Sequence, residues 1–243
     1  MSAFNIDQET LDKIFVVAED IINEKNGLEV ELLQNELKKK LNLPEKTIYD
    51  VIQLLLNKRI LVEGSKLTRE SVLINPYRRK IYNYLTDNVS AYFTEIKKHI
   101  FSDQASNKGS VGHLIWHLEM LLKFNLIKKV RFETYTIFMP IEVDEEVAVN
   151  LFLLKNDLDR DIIELLMKHE KVKKSEVHRH LNENREKIYY HLNKLMEYNI
   201  ISSNQADDKN IFINPEKIKL INLAIEKISN ENALKKGGYL NDI

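Results

Sequence analysis

The chain has no cysteine, so disulfide staples and thiolate metal sites are excluded and its stability must come from packing and hydrogen bonding. Glycine and proline are scarce, six and four in 243 residues, which leaves little material for wide loops and points to helices with short connections. No apolar run approaches the roughly 18 residues that a membrane span requires. The opening stretch MSAFNIDQETLDK is polar and acidic, unlike a secretory leader, so a cytoplasmic protein with no membrane association is expected. Neither charge dominates: 36 Lys+Arg stand against 37 Asp+Glu. The balance holds along the chain, with 10 basic against 13 acidic residues in 1–75, 10 against 8 in 76–145 and 16 against 16 in 146–243. A nucleic-acid partner would therefore be met by local patches rather than by a field of the whole molecule. Signatures of catalysis are missing too. There is no Gly-rich phosphate loop and no Ser, His and Asp set around a strand-to-helix elbow. The carboxylates fall on helix faces, mostly with Lys three or four residues away. No catalytic residue, cofactor or metal is expected.

What is present is repetition. The stretch IYYHLNKLMEYNII at 188–201 is echoed by LIWHLEMLLKFNLI at 114–127 and, more loosely, by IYDVIQLLLNKRIL at 48–61. In the first two, Ile188, Leu192, Leu195, Ile200 and Ile201 occupy the same positions as Leu114, Leu118, Leu121, Leu126 and Ile127. Each reads as a helix with one buried stripe that switches abruptly to a β-rich run. A second echo links LINPYRRKIYNYL after the first unit to FINPEKIKLINLA after the third.

Taken in order, the pattern predicts helices over 7–25, 31–41 and 45–58, then a hairpin from 60–63 to 72–74 through Gly64-Ser65. A second set follows at 77–85, 93–101 and 110–124, with strands at 126–132 and 134–140 and an enlarged turn at 102–110. Residues 141–155 form a joint that reads equally as a strand or a helix start. The third set has helices at 159–170, 173–181 and 184–198, with caps at Ser175 and at Asn182 or Asn184, and a hairpin at 200–214. A last helix, 215–234, begins at a first-turn proline. The expected fold class is mostly α with short antiparallel β wings: three tandem winged helix-turn-helix domains at 1–75, 76–145 and 146–243, plus a C-terminal helix.

The runs NPYRRKIYNYL, FTEIKKHI, GSVGHLIWHLEML and NLIKK, and the longer RDIIELLMKHEKVKKSEVHRHLNENREKIYYHLNKLMEYNII, resemble the archaeal multi-copy winged helix-turn-helix regulators. Shared features are Ile-Tyr on the first helix, His-Leu followed by a further Leu on the third, and an aliphatic strand after it. This sequence departs from the pattern at Asn88-Val89, where Pro-Gly is frequent, and in the enlarged turn. The resemblance implies a transcription regulator bound to double-stranded DNA.

A recognition helix needs polar side chains near its N-terminal end that can reach base edges. The third set offers Asn184 for adenine and Arg185 for guanine, with Tyr190 beside them. Lys187 and Lys194 suit phosphates, backed by Lys173 and Lys174. The middle set offers Lys108, Ser110 and His113, with wing residues Lys128, Lys129 and Arg131. The first offers Lys46. Ordinary solvated helix faces are the competing reading of these charges. His113 and His117 share a helix face but lack the Glu of a zinc-protease motif, so they read as structural. The Ile-rich last helix must bury its stripe against this chain or against a second copy, and a homodimer through it is favoured because two-fold DNA half-sites match a two-fold protein. From another class comes a non-catalytic winged-helix protein-interaction scaffold, as in ESCRT-II subunits or RNA polymerase accessory subunits. The near-zero charge and the acidic Asp207-Asp208 in the third wing fit it.

Overall fold

A computed structural model describes residues 7–101, 111–169, 171–204 and 207–226. Three helices open the chain. Helix α1 (Gln8–Lys25) starts where the Asp7 carboxylate accepts the Thr10 amide at 2.8 Å and stops where Asn26 turns left-handed at φ 59°. Helices α2 (Val30–Lys40) and α3 (Glu45–Asn57) follow, the second entered through Pro44. Their i, i+3, i+4 stripes meet in one core of Ile14, Ala18, Leu33, Leu37, Ile48 and Ile52.

A short helix α4 (Arg69–Val72) then leads into α5 (Pro76–Asn88), strand β1 (Ala91–Tyr92), α6 (Phe93–Phe101), α7 (Val111–Lys123), β2 (Ile127–Phe132) and β3 (Tyr135–Pro140). The three strands form one sheet in the order β1-β3-β2. The joint resolves as a helix, α8 (Glu145–Leu153), capped by the Asp144 carboxylate on the Glu146 amide. After it come α9 (Asp157–Lys168), β4 (Val172–Lys173), α10 (Val177–His180), α11 (Arg185–Glu197), β5 (Ile201–Asn204) and β6 (Asp207–Ile213). These strands are antiparallel, in the order β4-β6-β5. A 3-10 turn (Pro215–Lys217) runs into α12, residues 218–226.

The sequence echo has a backbone cause. Arg59, Asn125 and Asn199 hold equivalent places after α3, α7 and α11, and all three are left-handed, at φ 57°, 50° and 55°. In each case the next residue's amide reaches back to a helical carbonyl: Ile60 to Leu55 at 2.9 Å, Leu126 to Leu121 at 3.0 Å, Ile200 to Leu195 at 2.9 Å. This is a Schellman-type stop, which satisfies orphan carbonyls and turns the chain out of the helix into an extended run. The excursion that follows is closed alike as well. The carbonyls of Ile60, Leu126 and Ile200 accept the amides of Arg69, Ile141 and Asn214. The Asn that precedes each new helix is a cap: the side-chain oxygens of Asn75, Asn156 and Asn214 accept amides two or three residues on.

The loop lengths differ, and with them the wings. Residues 127–140 and 201–213 have room for two strands and a turn. Residues 61–68 are fewer, and the hairpin expected at 60–74 is absent: residues 69–72 are helical instead. All that survives is an exchange of backbone bonds between Leu28 and the Gly64-Ser65 turn, at 2.8 and 2.9 Å. Leu28 precedes α2 as Ala91 precedes α6 and Val172 precedes α10, so this exchange stands where the other two segments have a strand pair. The expected helix at 173–181 is also shorter. Lys173 completes β4 against Asn210, α10 starts only at Val177, and no side-chain cap, at Ser175 or elsewhere, closes its N-terminus.

The structure divides into two units. The first comprises the described residues of Met1–Asp87, Tyr92–Lys129 and Phe138–Ile141; the second comprises those of Asn88–Ala91, Val130–Ile137 and Glu142–Ile243. In the second, Phe132 from the tip of the β2–β3 hairpin is buried against the rings of Phe152 and Tyr198, 5.5 and 5.1 Å away. Among the described residues no helix is long and apolar enough to cross a membrane.

Candidate functional site

Helix α11 has a buried face that fixes it and an exposed, polar face. Ile188, Leu192 and Leu195 are fully buried. Beside them His191 Nδ1 lies 2.8 Å from Asp159 Oδ1 on α9, with Asp159 only 1% exposed. Burial pushes the Asp159 carboxyl above its usual range, while the His191 hydrogen bond and the Lys194 charge pull against it. The pair ties the third helix of this segment to its first.

At the N-terminus the Asn184 side-chain oxygen accepts the Glu186 and Lys187 amides at 2.8 and 3.2 Å. Asn184 is thus the cap of α11, one of the two roles its position suggested, and the cap fixes its amide at the helix start. Directly beyond it, Arg185, Tyr189 and Asn193 recur every four residues and make one row. The Arg185 guanidinium sits 5.3 Å from the Tyr189 ring centre. Lys174, from the turn after β4, places its ammonium 5.4 Å from the centre of the same Tyr189 ring and 2.9 Å from Asn193 Oδ1. The row therefore carries two cations and an amide around one aromatic plate. Tyr189 and Asn193 were not among the sequence candidates; their signal was the i+4 and i+8 spacing from Arg185.

The neighbouring row is engaged otherwise. Lys187 pairs with Glu183 at 3.1 Å. Lys194 is 15% exposed and pairs with Glu133 at 2.9 Å, its ammonium also over the Phe132 ring. Burial works to lower its pKa, but the Glu133 bond and charge prevail and hold it raised. Tyr190 is 57% exposed with its hydroxyl 3.5 Å from the same Glu133 carboxylate. Tyr190 and Lys194 thus face a hairpin tip, and Lys194 is drawn out of solvent. Lys173 is exposed and pairs with Glu176 at 3.3 Å.

The equivalent helices elsewhere are less suited to DNA. In the first half of α7 the exposed side chains are His113 and the apolar Val111, Ile115 and Trp116, the last three 44%, 46% and 52% exposed; the charged Glu119 and Lys123 are exposed farther along. The Arg78 guanidinium lies 5.5 Å from the Trp116 ring. His113 and His117 face each other with their Nε2 atoms 3.1 Å apart. Burial, with His113 and Arg78 adding to it, lowers the pKa of His117 to about 4. Among the described residues no group of three or more His, Asp and Glu side chains could hold a metal. Of the wing cations, Lys129 pairs with Glu119 at 3.1 Å, Arg131 donates to the Glu133 carbonyl at 3.4 Å, and Lys128 is half-buried. Lys46 is exposed in the first turn of α3. Lys108 and Ser110 lie outside the described residues.

No family model matches the chain. Over 159 residues it is 34% identical to a protein of Methanocaldococcus jannaschii described as an uncharacterized HTH-type transcriptional regulator. The match covers 65% of this chain and 38% of that archaeal protein, so the chain spans well under half of its relative's length. The two are distant homologues.

Proposed function

We propose that the chain is a DNA-binding transcription regulator in which α11 enters the major groove of duplex DNA. The observation that carries this reading is the row of Arg185, Tyr189 and Asn193 with Lys174 beside it: Arg185 and Asn193 are exposed, Tyr189 and Lys174 half-buried, the row starts at the first residue of α11, and the other face of that helix is locked by His191 and Asp159. Arg185 is the guanine reader; Lys174, Lys173 and Lys187 are the phosphate contacts, the last two exchanging an exposed carboxylate for a phosphate. The printed description of the archaeal relative supports the same class. In this reading residues 1–75, 76–145 and 146–243 are tandem helix-turn-helix units, the second and third winged, and only the third carries the base-reading role. No catalysis enters it. Pairing of the Ile-rich C-terminal helix between two chains would match the two-fold symmetry of an operator.

The test is fluorescence polarisation on a duplex selected by this protein from a random pool. Arg185→Ala is expected to lose about 1–3 kcal/mol on the selected duplex and to relax the preference at one base pair. Lys174→Ala is expected to weaken binding to every duplex alike and to reduce the dependence of log K on log salt by about one. Salt-insensitive binding, or no loss in Arg185→Ala, sinks the assignment.

A second reading, that part of the chain docks on protein, rests on α7. Val111, Ile115 and Trp116 leave an apolar surface where a DNA reader would carry polar groups. Trp116→Ala abolishing a salt-insensitive complex while leaving DNA affinity intact would assign that role to the middle unit.

A further inference from the structure

The described part of the second unit contains a cavity of about 500 Å³ that the DNA reading does not use. Its walls come from the end of α9, from β6 and from α12: Leu166 and Met167, Phe212 and Ile213, Ile218 and Ile221. None of its lining residues belongs to α11. The volume lies inside the roughly 300–1,000 Å³ typical of small-molecule sites, which are mostly apolar with a few convergent polar groups. That description fits. Lys171 and Asn222 are its polar lining side chains among the described residues, and both are exposed, one just before β4 and the other on α12. The cavity is open to solvent through its own apolar lining: Met167 is 50% exposed and Ile218 44%. The apolar body of a ligand would cover this exposed Met167 and Ile218 surface, which burial favours.

We infer that this cavity is a binding site for an amphipathic carboxylate, an aliphatic or single-ring acid of roughly eight to twelve carbons by volume, with its apolar body between α9, β6 and α12 and its carboxylate on Lys171 and Asn222. The chemistry follows from the lining. Apart from Lys171 and Asn222, the lining side chains among the described residues offer hydrocarbon, aromatic and thioether surface to the body of a ligand. At the rim an ammonium supplies charge and an amide N–H₂ supplies donors, a combination that favours an anion with hydrogen-bond acceptors over a neutral or cationic group. The site makes no use of the DNA-reading row, so it stands or falls apart from that proposal.

The experiment uses the full chain, isothermal titration calorimetry, decanoate as probe and decanol as its uncharged counterpart. Decanoate is expected to saturate one site per chain in the micromolar range and to bind at least ~10-fold tighter than decanol. Lys171→Met should abolish that preference, weakening decanoate at least ~10-fold and leaving decanol unchanged. Ile218→Trp, a substitution at a half-exposed position, should block both probes with an unaltered thermal melt. Absence of saturation, equal affinity for the two probes, decanoate binding unaffected by Lys171→Met, or binding that survives Ile218→Trp would each overturn the inference. No DNA enters any of these measurements.

Discussion

His117 and His191 show how one residue type at one place in a repeated helix can be used in two ways. Both sit four places into the echoed stretch, on α7 and α11, and both are buried. The caps Asn75 and Asn156 align the preceding helices so that Arg78 stands where Asp159 stands. His191 therefore meets a carboxylate. His117 has no such partner: Arg78 turns its Nε to the Val72 carbonyl at 2.6 Å, and His117 Nδ1 is buried with no hydrogen bond. A buried imidazole beside a second imidazole and a guanidinium resists protonation, and burial first, then His113 and Arg78, lower its pKa to about 4. The unfolded chain, with an ordinary histidine near 6.5, takes up the proton first as pH falls. The stability contribution of neutral His117 is therefore complete above pH 6.5 and is lost progressively between 6.5 and 4, by at most about 3 kcal/mol. Urea titrations from pH 4.5 to 7 should show this slope in the wild type and a flatter one in His117→Leu. Equal slopes would show that the ring titrates normally.

At the scale of elements, the left-handed cap decides the architecture. A helix period of 3.6 gives way to a strand period of two within two residues because Asn125 and Asn199 adopt positive φ, where a short polar side chain is tolerated and a β-branched one is not. Asn199→Gly should therefore fold within a few tenths of a kcal/mol of wild type or slightly better, whereas Asn199→Val should lose about 1–2 kcal/mol, read from urea midpoints at constant m-value. Comparable midpoints for the two variants would remove the cap from the explanation. Only nine residues separate the same cap at Arg59 from the closing bond at Arg69, against fifteen after Asn125 and fourteen after Asn199, and with residues 69–72 helical the first segment stays wingless.

At the scale of the molecule, the second hairpin belongs at its tip to the second unit. Residues 130–137 fall there, and Phe132 is 3% exposed between Phe152 and Tyr198 while Glu133 holds Lys194. A wing whose tip is buried in this way is a packing element. Phe132→Ala should cost about 3–5 kcal/mol, and hydrogen exchange should show the loss as reduced protection along α8 and α11. Loss confined to the amides of β2 and β3 would instead mean that the tip only rests on its surroundings. The same packing explains why Tyr190 and Lys194 contribute less to the proposed interface than Arg185 and Lys174.

The sequence by itself determined the long helices of the three segments, the stops after α3, α7 and α11 and two of the three expected hairpins, because periodicity, caps and turn residues act over a few neighbours along the chain. It also pointed to Asn75 and Asn214 through the repeated Asn-Pro echo, and to Arg185 through its place near the start of the third helix. Tertiary structure decided the rest. Whether 60–74 pairs as a hairpin depended on where the chain had to return to close on Ile60. Which lysines remain available depended on carboxylates distant in sequence, Glu133 for Lys194 and Glu119 for Lys129. That Lys174 joins Tyr189 and Asn193 depended on β4 pairing with β6, which carries the turn onto α11. Charge pairing across such separations leaves no periodic trace in a chain whose acids and bases are nearly equal in number, and so the usable face of α11 became legible only once the helices were packed.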